Sequence, residues 1–175
     1  LTLPYFQSIN NNCENFFNAL NGVVLPEGRL DEFRKNIYID YAHSPKALEE
    51  VCLNLNEKNP KSLAVVFGAG GDRDIGKRKI MGEVADKYCD KIYITSDNPR
   101  SENPRKIAEM IQDGILNKSK VTLEIDRSIA IKNAINDLQE EEILLIAGKG
   151  HEHYQVIGNK VIEYSDYEEV KKCTA

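Results

Sequence analysis

Two patterns of apolar residues alternate along the chain. Short, almost wholly apolar runs occur at Ser62–Phe67 and Glu142–Ala147. Between such runs lie longer segments in which apolar residues recur every three or four positions. A short run without polar alternation predicts a strand covered on both faces, as in a parallel sheet under helices. Further strands are expected at Asn36–Asp40, Lys91–Thr95 and Val121–Ile125. A helix is expected from Pro45 to about Glu57, with Ala47, Leu48, Val51, Cys52 and Leu55 on one stripe and Pro45 in its first turn. Others are expected at Gly76–Tyr88, Pro104–Leu116 and Arg127–Gln139. Tyr154–Ile157 and Lys160–Tyr164 flank Gly158 and Asn159, a hairpin turn signal, and a short helix follows from Asp166 to about Lys172. The repeated strand–helix order predicts an α/β fold. It is a Rossmann-like, mostly parallel sheet with helices on both faces, and the C-terminal antiparallel hairpin is expected to add an edge.

Residues 1–34 lack this alternation. One helix is expected there, at about Asn11–Leu20, with too few apolar residues to bury a core. The segment reads as the tail of a preceding domain plus a linker, and residues 35–175 as the repeating domain. The chain begins Leu-Thr-Leu-Pro, as a piece of a longer protein or a processed one would.

Composition narrows the function. A formal net charge of −5 argues against a broad nucleic-acid face, which needs clustered Lys and Arg. No apolar run approaches the roughly 20 residues that span a bilayer, and no signal-peptide pattern opens the chain. No membrane insertion and a cytoplasmic location are therefore expected. Cys13, Cys52, Cys89 and Cys173 form no C-x-x-C pair, which fits free thiols better than disulfides or a zinc site.

The polar signals cluster just after strands, where open α/β sheets bind ligands. Asp40-Tyr-Ala-His-Ser-Pro45 offers Ser44 as a helix cap, and His43 as a nucleotide contact or a surface residue. Gly68-Ala-Gly-Gly-Asp-Arg-Asp-Ile-Gly-Lys-Arg78 can bring backbone close to a ligand, yet it is neither a dinucleotide fingerprint nor a phosphate loop. It also carries the charged pair Arg73 and Asp74. Asp97-Asn98-Pro99-Arg100 reads either as a stiff polar turn or as a clamp for a zwitterion. Asp97 can accept from an ammonium, and Arg100 can fork a carboxylate. Ala147-Gly-Lys-Gly-His-Glu-His-Tyr154 is dense in charge, but the adjacent His151, Glu152 and His153 make a poor ligand set for one ion, so no metal is expected. On a shared rim, Arg73, Arg100 and Lys149 would face Asp97 and Glu152. That mixture suits a small ligand bearing ammonium and carboxylate groups. A stand-alone nucleotide-binding module, with Gly68–Gly71 on a phosphate, remains the alternative.

At these motifs the sequence resembles the C-terminal part of the Mur ligase family, and within it the ligases that add meso-diaminopimelate in peptidoglycan synthesis. The resemblance rests on Gly28-Arg29-Leu-Asp-Glu-Phe33, Asp40–Pro45, Gly70-Gly-Asp-Arg-Asp74, Asp97–Arg100 and Gly148-Lys-Gly-His-Glu152, which match in order and spacing. It implies an ATP-dependent amide-bond ligase of cell wall biogenesis. ATP would phosphorylate the terminal carboxylate of UDP-MurNAc-L-Ala-D-Glu, and the amine of diaminopimelate would displace the phosphate. Residues 1–34 would end the central ATPase domain. Arg29 and Asp40 would contact ATP, with His43 nearby. Arg73, Asp97, Asn98, Pro99, Arg100, Gly148 and Glu152 would hold the amino acid, supported by Lys149 and His151. Family members that add L-lysine usually lack the arginine at Arg100, so Arg100 points to diaminopimelate. Ser44 and His153 depart mildly from the family pattern. The family's phosphate loop and magnesium ligands belong to the central domain and no such loop occurs here. ATP and Mg2+ would therefore be bound mainly outside this chain, and the fragment alone would be inactive.

Overall fold

A computed structural model describes residues 27–174. The helix expected at Asn11–Leu20, Cys13 and most of the segment read as a domain tail lie outside the described residues. The main sheet has six strands: β1 (Asp31–Arg34), β2 (Ile37–Asp40), β3 (Leu63–Phe67), β4 (Lys91–Ile94), β5 (Val121–Leu123) and β6 (Ile143–Ala147). Their order is β1-β2-β6-β3-β4-β5, with β1 antiparallel to β2 and every other pair parallel. All of β3 and β6 is buried, which explains their uninterrupted apolar sequences.

Alternate side chains of each strand feed two cores. Val65, Phe67, Ile92 and Leu145 pack with α1 (Pro45–Asn56), α2 (Gly76–Tyr88) and α3 (Pro104–Gln112) through Leu48, Met81 and Ile107. Ala64, Val66, Tyr93 and Ile146 face the opposite way, onto Ile131 and Ala134 of α4 (Arg127–Asn136) and Val170 of α5 (Asp166–Cys173). Burying an aliphatic side chain of this size contributes about 1.5–3 kcal/mol, so both helical layers hold the sheet. Ser44, Asn103 and Asp126 cap α1, α3 and α4 through their side-chain oxygens, and Pro45 and Pro104 begin the first turns.

Three expectations are corrected. First, the hairpin does not extend the main sheet. β7 (Tyr154–Ile157) and β8 (Lys160–Glu163) form a separate two-stranded sheet, which a bridge between Ile157 and Arg100 joins to the domain. The Arg100 N–H donates to Val156 O at 3.1 Å, and Gly158 N–H donates to Arg100 O at 2.7 Å. Second, the antiparallel edge is β1, whose four residues fall in the segment that reads as a domain tail plus linker. Phe33 meets Tyr167 edge-on at 4.8 Å, and the Tyr167 hydroxyl accepts from Gly28 N and donates to Asp31 Oδ2. Third, α3 and α4 end early. A Cβ on Gly114 would collide with Lys79 O of α2, so the chain turns at this close crossing. At the end of α4, Asp137 O accepts from Lys91 Nζ at 3.2 Å, and its carboxylate accepts from the Tyr93 hydroxyl at 2.7 Å. These partners replace another helical turn.

Cys52 and Cys89 are free thiols that meet in the core, with Sγ atoms 3.7 Å apart. Among the described residues no helix is long and apolar enough to cross a membrane.

Candidate ligand-binding site

The carboxyl ends of β2, β3, β4 and β6 carry four loops to one rim. They enclose a polar cavity of about 380 Å³, lined by Arg73, Lys77 and Arg100 and by Asp97 and Glu152. The loops are tied pairwise. Gly148 N–H donates to Asp40 O at 3.0 Å, joining the first loop to the fourth. Gly71 N–H donates to Asn98 O at 2.9 Å, and Arg100 Nη1 donates back to Gly71 O at 2.8 Å, joining the second to the third. Gly68 and Gly71 are required by this contact, because a Cβ on either would strike the backbone of Thr95 or Pro99. They serve the approach of one loop to another. Gly70 is the glycine of this loop that lines the cavity.

Buried cations brace the loops from behind. Arg78, wholly buried, donates from Nη1 and Nη2 to the two oxygens of Glu102, both at 2.8 Å. Glu102 Oε1 also accepts from Asp72 N, and Asp72 accepts from Ser101. These bonds hold the Glu102 carboxyl at about 2, against the usual 4.5, with the Arg78 bonds the largest cause and the Asp72 bond next. At the carboxyl end of β6, Arg127 and Asp166 pair through two 2.8 Å bonds in full burial, and Arg127 Nη2 donates to Ala147 O.

Of the residues expected to hold an amino acid, Arg73, Asp97, Asn98, Arg100, Gly148 and Glu152 all line the cavity. Pro99 does not. It lines a second, more apolar cavity of about 360 Å³ with Pro104, Ile125 and Ile162. His43, expected near ATP, lines the first cavity, with Nδ1 2.9 Å from Tyr41 O. Arg29 and Asp40 lie outside it. The Arg29 guanidinium is exposed, 5.0 Å from the centre of the Tyr41 ring. Asp40 is buried and accepts from Leu30 N at 2.6 Å and Ala42 N at 2.7 Å. Burial raises its pKa, opposed by those two bonds and by the Arg29 charge. His151 is also outside, its ring 5.2 Å from that of Tyr41. Lys149 sits wholly buried beneath the loops.

Tyr41, Lys77 and Tyr154 line the cavity too and were not singled out from sequence. Lys77 donates to His43 O at 2.9 Å. Burial lowers its pKa, against the nearby Asp97 and Asp74 charges. In sequence it reads as one lysine of an exposed helix start. Arg100 spends Nη1 on Gly71 O and, at 3.4 Å, on Asn98 O, while its Nε and Nη2 bond no described residue. A carboxylate needs such a free edge for a two-pronged bond. Asp97 Oδ1 accepts no hydrogen bond, although Lys149 Nζ lies 3.3 Å away. The cavity thus offers donors for a carboxylate beside acceptors for an ammonium.

Residues 28–150 match the family model described as Mur ligase, glutamate ligase domain. The chain belongs to the Mur ligase family. It is 50% identical over 152 residues to the UDP-N-acetylmuramoyl-L-alanyl-D-glutamate–2,6-diaminopimelate ligase of Alkaliphilus oremlandii, covering 86% of this chain and 31% of that protein. Its identity to the ligase of the same name from Rickettsia bellii is 46% over 154 residues, 86% of this chain and 32% of that protein. A solved structure of a ligase of that name superposes with a TM-score of 0.73 at 38% identity, covering 78% of this chain and 28% of that one. The chain therefore spans about a third of the length of the relatives it matches. The Mur ligase resemblance read from the motifs is shown, and with it the α/β fold.

Proposed function

We propose that this chain is the amino-acid-binding domain of an ATP-dependent ligase that adds meso-diaminopimelate to UDP-MurNAc-L-Ala-D-Glu in the cytoplasm. The observation that carries the proposal is Arg100, which lines the cavity with Asp97 and Glu152 and whose Nε and Nη2 bond no described residue. Diaminopimelate ends in a carbon bearing both a carboxylate and an ammonium. Lysine has only the ammonium there, which a guanidinium repels. The names of the relatives above support the same substrate.

Arg73 and Arg100 would hold carboxylate groups of the amino acid, and Asp97, Asn98 and Glu152 would form the site of its distal ammonium. Pro99 would stiffen the turn without touching the ligand, and Gly148 would leave room for it. Gripping the far end aims the reacting amine toward the rest of the enzyme, so that attack becomes local. Residues before about 28 would lead into a central ATPase domain. ATP, when bound, supplies the phosphoryl group that activates the acceptor carboxylate. Exposed Arg29 on Tyr41, with His43 at the cavity edge, fits a polyanionic nucleotide, while Asp40 would act through the turn it holds. As the family resemblance implies, Mg2+ would be bound mainly by the central domain of the ligase.

Arg100→Ala in the full-length ligase tests this reading. Losing a charge-assisted bond worth about 1.5–3 kcal/mol should raise the KM for diaminopimelate by roughly 10- to 150-fold. The KM for ATP should change by less than about twofold, within the scatter of such measurements. An equal rise in both would contradict the role of Arg100.

A further inference from the structure

Lys149 is buried at 0% exposure, which lysine tolerates only when paired. Its ammonium lies 2.8 Å from Tyr154 O, 3.1 Å from Asn98 Oδ1, 3.4 Å from Glu152 Oε2 and 3.3 Å from Asp97 Oδ1. An ammonium has only three N–H donors, so one of these four acceptors goes without. That one is Asp97 Oδ1, buried and without a hydrogen bond. The Asn98 amide is fixed by the same arrangement. Its Oδ1 accepts from Lys149 and from Val156 N at 2.9 Å, so its Nδ2 faces Glu152 Oε2 at 3.1 Å. Asp97 Oδ2 and Glu152 Oε1 bond no described residue and are not sealed off as Asp97 Oδ1 is, so each acid keeps one oxygen for a ligand.

We infer that Lys149 is the positioning residue of the amino-acid site: it holds Asp97, Asn98 and Glu152 as a preassembled receptor for the substrate's distal ammonium. The inference rests on the proposed function. Two carboxylates lining one small cavity repel each other, and a fixed cation between them offsets that repulsion. It also fixes which oxygens remain for the ligand. Preassembly of this kind lowers the cost of ordering the site on binding.

The test compares the full-length ligase with Lys149→Met, Glu152→Gln and the double variant. Lys149→Met should raise the KM for diaminopimelate at least about tenfold, equivalent to 1.4 kcal/mol. The KM for ATP should stay within about twofold, the usual noise of such comparisons. Because Lys149 acts through the acids, the double variant should be little worse than Glu152→Gln alone. Independent, additive effects on KM would overturn the inference, as would a folded Lys149→Met enzyme with an unchanged KM. Lys149→Gln, which retains two N–H donors, serves if the Met variant does not fold, and the same rise is expected. If neither folds, Lys149 is a pillar of the fold and the inference fails. A wild-type enzyme that uses L-lysine and not diaminopimelate would refute the proposed substrate instead. The KM for lysine then reads the Lys149 effect, since both amino acids carry the distal ammonium.

Discussion

Glu102→Gln should unfasten the Gly68–Arg78 loop from the Asp97–Arg100 turn. Arg78 is wholly buried and meets both Glu102 oxygens at 2.8 Å. Its other contacts are weaker: Gly70 O at 3.3 Å and the Met110 sulfur at 3.2 Å, with Nε unpartnered. Removing one partner of a buried ion pair costs about 3–5 kcal/mol. The Glu102 side chain is 27% exposed, which screens part of the attraction and places the cost near the low end, about 3 kcal/mol. For a domain of this size that corresponds to a fall in Tm of roughly 6–12 °C. The Gln amide also turns a donor toward an Arg78 N–H. The assay is thermal and urea unfolding of the 175-residue chain, wild type against variant, from pH 7 to pH 2.5. Glu102 has a folded pKa of about 2, below the usual 4.5. Its contribution is therefore complete above about 4.5 and is lost as the pH falls toward about 2. The gap between wild type and variant should stay constant at neutral and mildly acidic pH, then narrow. A gap below about 1 kcal/mol at pH 7, the size of a surface pair, would refute the reasoning. So would a gap indifferent to pH.

Two other predictions concern the core. Gly114→Ala should cost about 1–3 kcal/mol, measured by urea unfolding, because its Cβ meets backbone of α2 and no flexible side chain can yield. A neutral substitution would show that the helices do not cross so closely. In the native protein, alkylation followed by peptide mass analysis should modify half-buried Cys173 well before Cys52 or Cys89. A bond from Cys52, and then burial, push the Cys89 thiol up, which disfavours the reactive thiolate. Equal labelling of all three would contradict the buried contact.

The strands and helices were legible because burial writes itself into sequence. Leu63–Phe67 and Ile143–Ala147 are covered on both faces and so are continuously apolar. Pro45, Pro104 and the caps at Ser44, Asn103 and Asp126 mark helix starts. β1 was missed because Asp31-Glu-Phe-Arg34 is a short edge strand, mostly charged, and is held largely by backbone pairing. The rim was legible because each motif follows a strand. What lies behind it was not. Arg78 sits in the run Gly-Lys-Arg-Lys of a helix start and Lys149 in a loop, so both look exposed. Arg78 is buried against Glu102, 24 positions away, and Lys149 against Asn98, 51 positions away, as well as against nearby Glu152 and Tyr154; no local spacing announces the distant partners. Lys77 was overlooked for the same reason.

The most direct measurement is the kcat/KM of the full-length ligase for meso-diaminopimelate against L-lysine, with ATP and UDP-MurNAc-L-Ala-D-Glu supplied. Arg100 predicts a preference for diaminopimelate of at least about tenfold, the lower bound of one charge-assisted bond. Equal use of the two amino acids, or a preference for lysine, would contradict it.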